Sequence, residues 1–90
     1  MKLNVGALRL RHEVEDATEE EQRIIRNVVR ALREKGYGDV MQLSGYILTG
    51  DPTYITSHMG ARNEMSRIDH FRMCELVVRH FLENVLGESP

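Results

Sequence analysis

Two chain breakers frame the middle of this sequence and limit what it can become. Gly36-Tyr37-Gly38-Asp39 stands on one side and Gly50-Asp51-Pro52 on the other. Glycine takes the left-handed backbone that closes a helix, and proline pushes the residue before it out of helical conformation. Whatever lies between is therefore one short element. Val40, Leu43, Ile47 and Leu48 give it helical spacing, with Asp39 as its cap. Ser44 and Gly45 sit in its middle, where glycine costs about 1 kcal/mol relative to alanine. That cost implies a close approach of another backbone, so a helix crossing is expected at Gly45.

Longer helices are expected on both sides. Thr18 followed three residues later by Glu21 has the form of a capping box, in which hydroxyl and carboxylate each satisfy a free backbone amide. From there Ile24, Ile25, Val28, Val29 and Leu32 recur at three- and four-residue spacing, with Arg23, Arg26, Asn27, Arg30, Arg33 and Glu34 opposite. Gly36 closes this helix. Beyond Pro52, residues 53–60 read as a loop or a single helical turn. Past Ala61, the positions Met65, Ile68, Met73, Leu76, Val77, His80, Phe81 and Val85 describe one long amphipathic helix ending near Gly87. The fold class is thus all-α: two longer amphipathic helices flanking a short one, over residues 17–87. Residues 1–16 form an N-terminal arm, flexible or strand-like, because Leu8, Leu10, His12 and Val14 alternate with charged neighbours.

Ninety residues make one domain, and a chain of this size buries only about two-thirds of the surface exposed when unfolded. Its core is modest, and self-association as a homodimer would help it. Twelve Lys and Arg against fourteen Asp and Glu leave a net charge of −2, without the uniform positive field of a nucleic-acid binder. No apolar run approaches the length of a signal peptide or the roughly 20 residues of a membrane span. The single cysteine, Cys74, cannot form an internal disulfide. The expected setting is the reducing cytoplasm, without membrane insertion.

The candidate chemical groups favour structural readings. His70 and Cys74 stand at the spacing that places two metal ligands on one helix face, but two ligands do not make a site, and neither metal nor cofactor is expected. Cys74 lies within an apolar stripe, where thiols tend to be inert, so no catalytic residue is assigned. Glu19-Glu20-Glu21 matches the positive end of a helix dipole better than acid–base catalysis. The glycines near Asp51 lack the strand, lysine and helix of a phosphate loop. Arg62, Arg67, Arg72 and Arg79 spread around the last helix, which reads as solvated surface. Used together with Tyr54 or His58 as stacking groups, they define the alternative reading, a small nucleic-acid-associated factor.

Three stretches go further than periodicity: Lys35-Gly36-Tyr37, then Gly45-Tyr46-Ile47-Leu48-Thr49-Gly50-Asp51-Pro52-Thr53-Tyr54-Ile55, then Ala61-Arg62-Asn63. Together they resemble the IreB family of small regulatory phosphoproteins, and the likeness runs from about Leu8 to Leu86. The resemblance implies a non-enzymatic, cytoplasmic, helical homodimer that is phosphorylated by a transmembrane Ser/Thr kinase and acts as a negative regulator of intrinsic cephalosporin resistance. It marks Gly36, Tyr37, Gly45, Tyr46, Gly50, Asp51, Pro52, Tyr54, Arg62 and Asn63 as the structural or partner surface.

The family's phosphoacceptor threonine lies in the N-terminal arm, whereas here no threonine or serine precedes Thr18. Thr18, Thr53 and Thr56 are the candidate acceptors, exchanged between the kinase and its phosphatase. The family's strongly charged stretch in the last helix is also replaced, by Ser66-Arg67-Ile68-Asp69-His70-Phe71-Arg72.

Overall fold

A computed structural model describes residues 14–88, and all regular structure among them is helical. Helix α1 spans Glu19–Glu34, α2 Asp39–Thr49, α3 Ala61–Met65 and α4 His70–Leu86, with single 3-10 turns at Pro52–Tyr54 and His58–Gly60. The N-terminal arm, expected to be flexible or strand-like, falls almost wholly outside the described residues.

Helix α1 begins and ends where local chemistry directs. The Glu21 amide donates to Thr18 Oγ1 at 3.1 Å and the Thr18 amide donates to Glu21 Oε1 at 3.0 Å, which closes the capping box. At the other end Gly36 has φ +78°. The Gly36 amide donates to the Arg33 carbonyl and the Tyr37 amide to the Leu32 carbonyl, the two bonds of a Schellman stop. Ile24, Val28, Ala31 and Leu32 form its buried stripe. They pack with Tyr46, Ile55, Ala61, Met65, Ile68 and Met73 into one core.

Three expectations need correction. Asp39 is the first residue of α2 and the preceding Gly38 is its N-cap, without a side-chain cap bond. The Asp39 carboxylate instead accepts from its neighbour's amide and from Arg33 Nε at 2.6 Å, and the Arg33 guanidinium holds its pKa below the usual carboxylate range. Second, the close approach at Gly45 comes from an aromatic ring and not a helix backbone. A Cβ on Gly45 would collide with Cε1 and Cδ1 of Tyr54 and lie 2.8 Å from its Cζ.

Third, the last helix is not continuous from Ala61. Helix α3 stops at Met65, and Asp69 starts α4 afresh by accepting the Arg72 amide at 3.2 Å. Ile68 and Met65 keep apolar spacing across the break and are both buried, which is why the pattern reads straight through it. The chain turns at residues 66–69 while the core stripe carries on.

Candidate functional site

Most of the motif residues gather where α2 ends, the Pro52–Tyr54 turn begins and α3 passes into α4. Thr49 Oγ1 donates to the Gly45 carbonyl at 2.7 Å and accepts the Asp51 amide at 3.0 Å. Gly50 has φ +72° and lies against the His70 ring, so a side chain there is strained whatever the space. The Asp51 carboxylate accepts both the Thr53 amide at 2.9 Å and the Thr53 hydroxyl at 2.8 Å. Those two bonds, the amide first, hold its pKa below the usual carboxylate range. Gly-Asp-Pro-Thr is thus a self-capping turn, with Pro52 supplying the fixed φ of its first helical position.

Neighbouring elements secure the turn's backbone. Gln42 Nε2 from α2 donates to the Tyr54 carbonyl at 3.0 Å, and Arg62 Nε from α3 donates to the Ile55 carbonyl at 2.8 Å. Ile55 itself is fully buried. From α4, His70 Nε2 lies 3.1 Å from two carbonyls at the end of α2, that of Tyr46, which also accepts the Gly50 amide, and that of Ile47. In the tautomer carrying a proton on Nε2, the histidine caps α2 from a different helix. Its ring also meets Tyr46 edge-on, centroids 5.2 Å apart. Burial raises the Tyr46 pKa.

These contacts leave a cleft of about 290 Å³ lined by Tyr46, Gly50, Pro52, Arg62, Asp69 and His70 among others. Four motif residues, Tyr46, Gly50, Pro52 and Arg62, therefore share one wall. Gly45, Asp51 and Tyr54 build the turn behind it. Asn63 is exposed on α3, its carbonyl accepting the Ser66 hydroxyl at 2.6 Å. Gly36 and Tyr37 belong to the stop of α1, and no hydrogen bond among the described residues joins them to the cleft. Of the candidate phosphoacceptors, Thr18 and Thr53 are exposed and Thr56 is half-buried, its hydroxyl accepting the His58 amide at 3.2 Å.

His70 and Cys74 do lie on one face, with Cys74 Sγ 3.8 Å from His70 Nε2, and both turn toward the end of α2. Among the described residues no three His, Cys, Asp or Glu side chains are placed to hold a metal ion. The arginines named for a basic stripe are each engaged. Arg62 holds Ile55, Arg67 pairs with Glu20 at 2.8 Å, Arg72 with Glu21 at 3.0 Å and Arg79 with Glu83 at 3.1 Å.

Arg72 does more than pair. Its guanidinium also donates to the carbonyls of Glu15 at 2.8 Å and Asp16 at 3.0 Å, and Arg79 donates to the Val14 carbonyl at 2.6 Å. Two arginines one face-repeat apart on α4 thus fasten the root of the N-terminal arm. Glu21 sits at the centre, accepting from Arg72 and from the Thr18 amide; the Arg72 bonds lead in keeping its pKa below the glutamate range. This fastening was not read from the sequence. Its residues lie more than fifty positions apart and carry no local pattern; the only trace is the spacing of Arg72, Leu76 and Arg79 along one side of a helix.

The chain is 40% identical over 70 residues to a UPF0297 protein of Acetivibrio thermocellus, covering 78% of each chain. It is 45% identical over 65 residues to a UPF0297 protein of Ruminiclostridium cellulolyticum, covering 72% of this chain and 74% of that one. Residues 8–83 match the family described as IreB regulatory phosphoprotein, a span that holds α1, α2, the Gly-Asp-Pro turn and most of α4. The protein belongs to the IreB regulatory phosphoprotein family.

Proposed function

We propose that the protein is a non-enzymatic cytoplasmic regulator that works through protein–protein contact as a homodimer, set by a transmembrane Ser/Thr kinase and its phosphatase. Its output in this reading is negative regulation of intrinsic cephalosporin resistance and of the response to cell-envelope stress. Membership of a regulatory phosphoprotein family supports the regulatory part.

The observation that carries the binding part is the outer side of α4. Phe71, Val78 and Val85 recur at seven-residue intervals with Phe81 beside them, and all are exposed, Phe81 to 63% and Val85 to 60%. Single apolar residues on a surface need no explanation, whereas a contiguous row on one helix face marks a contact surface. A second copy of the chain would cover this row and enlarge a small core. Sedimentation at micromolar concentration is expected to give a dimer for the native chain and a folded monomer for Phe81→Glu; a native monomer overturns the homodimer.

The kinase link rests on an accessible hydroxyl. Thr18 is exposed, and its Oγ1 is the acceptor of the α1 cap. A phosphate there would stand beside Glu21 and compete for Arg72, loosening the arm root. Incubation with the kinase and mapping by mass spectrometry should find label on Thr18 or Thr53. An unlabelled protein would remove the kinase from the account and leave the binding function standing.

A further inference from the structure

We infer that the outer face of α1 is a docking site for an acidic, amphipathic segment of a partner protein. The face carries Arg26, Arg30 and Arg33, spaced four and three residues apart, beside half-buried Ile25 and Val29. These residues line a surface groove of about 650 Å³ together with Glu34.

The charges on this face differ from those elsewhere in the molecule. Arg23 is matched by Glu20 and Glu64, and Arg67, Arg72 and Arg79 each meet a carboxylate. On the outer face Arg26 has no hydrogen bond or ion pair among the described residues. Arg30 donates only to the Asn27 amide oxygen, and Arg33, its side chain 71% exposed, spends one nitrogen on Asp39. Glu34, the one carboxylate in the groove, is turned to His58 at 3.0 Å.

Like charges at three- and four-residue spacing destabilise a helix by a few tenths of a kcal/mol per pair. A chain of net charge −2 that keeps three of them together beside two apolar residues, two without a carboxylate partner among the described residues and the third with one nitrogen on Asp39, presents the complement of an acidic helix or strand with an apolar edge. Guanidinium forks suit carboxylates in paired geometry, and Ile25 and Val29 supply an apolar strip at the same repeat. Nucleic acid fits less well, since three cations give few phosphate contacts and no aromatic ring lines the groove for base stacking. The arm of this chain is a poor occupant as well, because residues 1–13 bring Lys2, Arg9 and Arg11 against Glu13 alone.

This inference rests on the reading of the chain as a binding protein, and it concerns a different face from the α4 row. The test is fluorescence anisotropy with a labelled amphipathic peptide built of Glu, Ala and Leu. Its Lys counterpart and a labelled duplex oligonucleotide serve as comparisons. The Glu peptide is expected to bind best and to weaken as salt rises. Arg26→Glu with Arg30→Glu is expected to weaken it at least tenfold, and Val29→Ser less, with sedimentation unchanged in both. Arg26→Ala with Arg30→Ala replaces the reversal if that variant does not fold. Equal binding of Glu and Lys peptides, tighter binding of the oligonucleotide, or Glu-peptide affinity indifferent to the arginine changes would each overturn the inference. Failure of the dimer, with peptide binding intact, would count against the homodimer alone.

Discussion

The turn after α2 and the second half of α4 use similar residues to opposite ends. In the turn, Ile55 is fully buried, the Tyr54 ring covers Gly45, and the backbone carbonyls of Tyr54 and Ile55 are held by side chains of α2 and α3. Along α4 past Leu76, Val77, Val78, Phe81, Val85 and Leu86 all remain exposed. The first half of α4 is tied to α2 by His70 and to α1 by Arg72; the second half is held at its side by Arg79 and His80, which reach Val14 and Asp16. One region satisfies itself within the chain, and the other leaves its apolar groups exposed.

The comparison breaks most visibly if the turn tolerates damage. Ile55→Ala is expected to destabilise the fold by about 3 kcal/mol, the cost of deleting a fully buried branched side chain and leaving a cavity. Val85→Ala, at an exposed position, is expected to leave monomer stability within about 0.5 kcal/mol. Urea unfolding of dilute protein measures both, and equal losses would erase the distinction. Gly45→Ala comes next: alanine is the better helix former, yet here it meets the Tyr54 ring, and overpacking of this kind costs about 2 kcal/mol. A rise in thermal midpoint would show that the ring yields freely.

Arg72→Ala sharpens the comparison from the other side, because the guanidinium joins α4 to both Glu21 and the arm root. With its charge-assisted bonds on a side chain only 23% exposed, a loss of about 1.5 kcal/mol is expected. A double-mutant cycle with Glu21→Gln isolates the pair, since glutamine keeps the cap bond to Thr18. Acid titration gives the smallest effect. The folded pKa of Glu21 is lowered, so the folded state binds this proton less readily than the unfolded chain does. The stabilisation is therefore complete above the unfolded glutamate pKa of about 4.3 and is lost as pH falls through the folded value. Glu21→Gln should flatten the acid limb of the stability curve, and an unchanged limb would assign it to other carboxylates.

Much of the helical scaffold was legible because its signals are local. The Thr18–Glu21 box, the Gly36 stop and the Gly50-Asp51-Pro52 break each work within a few residues, and the longest stretch of the family motif, residues 45–55, is continuous in the sequence. What stayed hidden depends on distant partners. Asp69 as a helix start is masked by an apolar stripe that continues from Met65 through Ile68 to Met73. The partner of Gly45 was sought in another helix, whereas it lies nine residues on, in a ring that the following turn folds back. His70 invited a metal reading with Cys74 at helical spacing, and spacing alone does not tell that both face the carbonyls of Tyr46 and Ile47. The clustering of Tyr46, Gly50, Pro52 and Arg62 on one cleft wall likewise follows from the turn at 66–69, which the sequence pattern runs across.

Hydrogen–deuterium exchange at two protein concentrations tests the contrast between these regions most directly. Amides of α4 from Val78 to Val85 are predicted to be protected at high micromolar concentration and to lose that protection on dilution or in Phe81→Glu, while amides of Tyr54, Ile55 and the core of α1 stay protected throughout. Exchange in the second half of α4 that is independent of concentration and of Phe81→Glu would contradict the account.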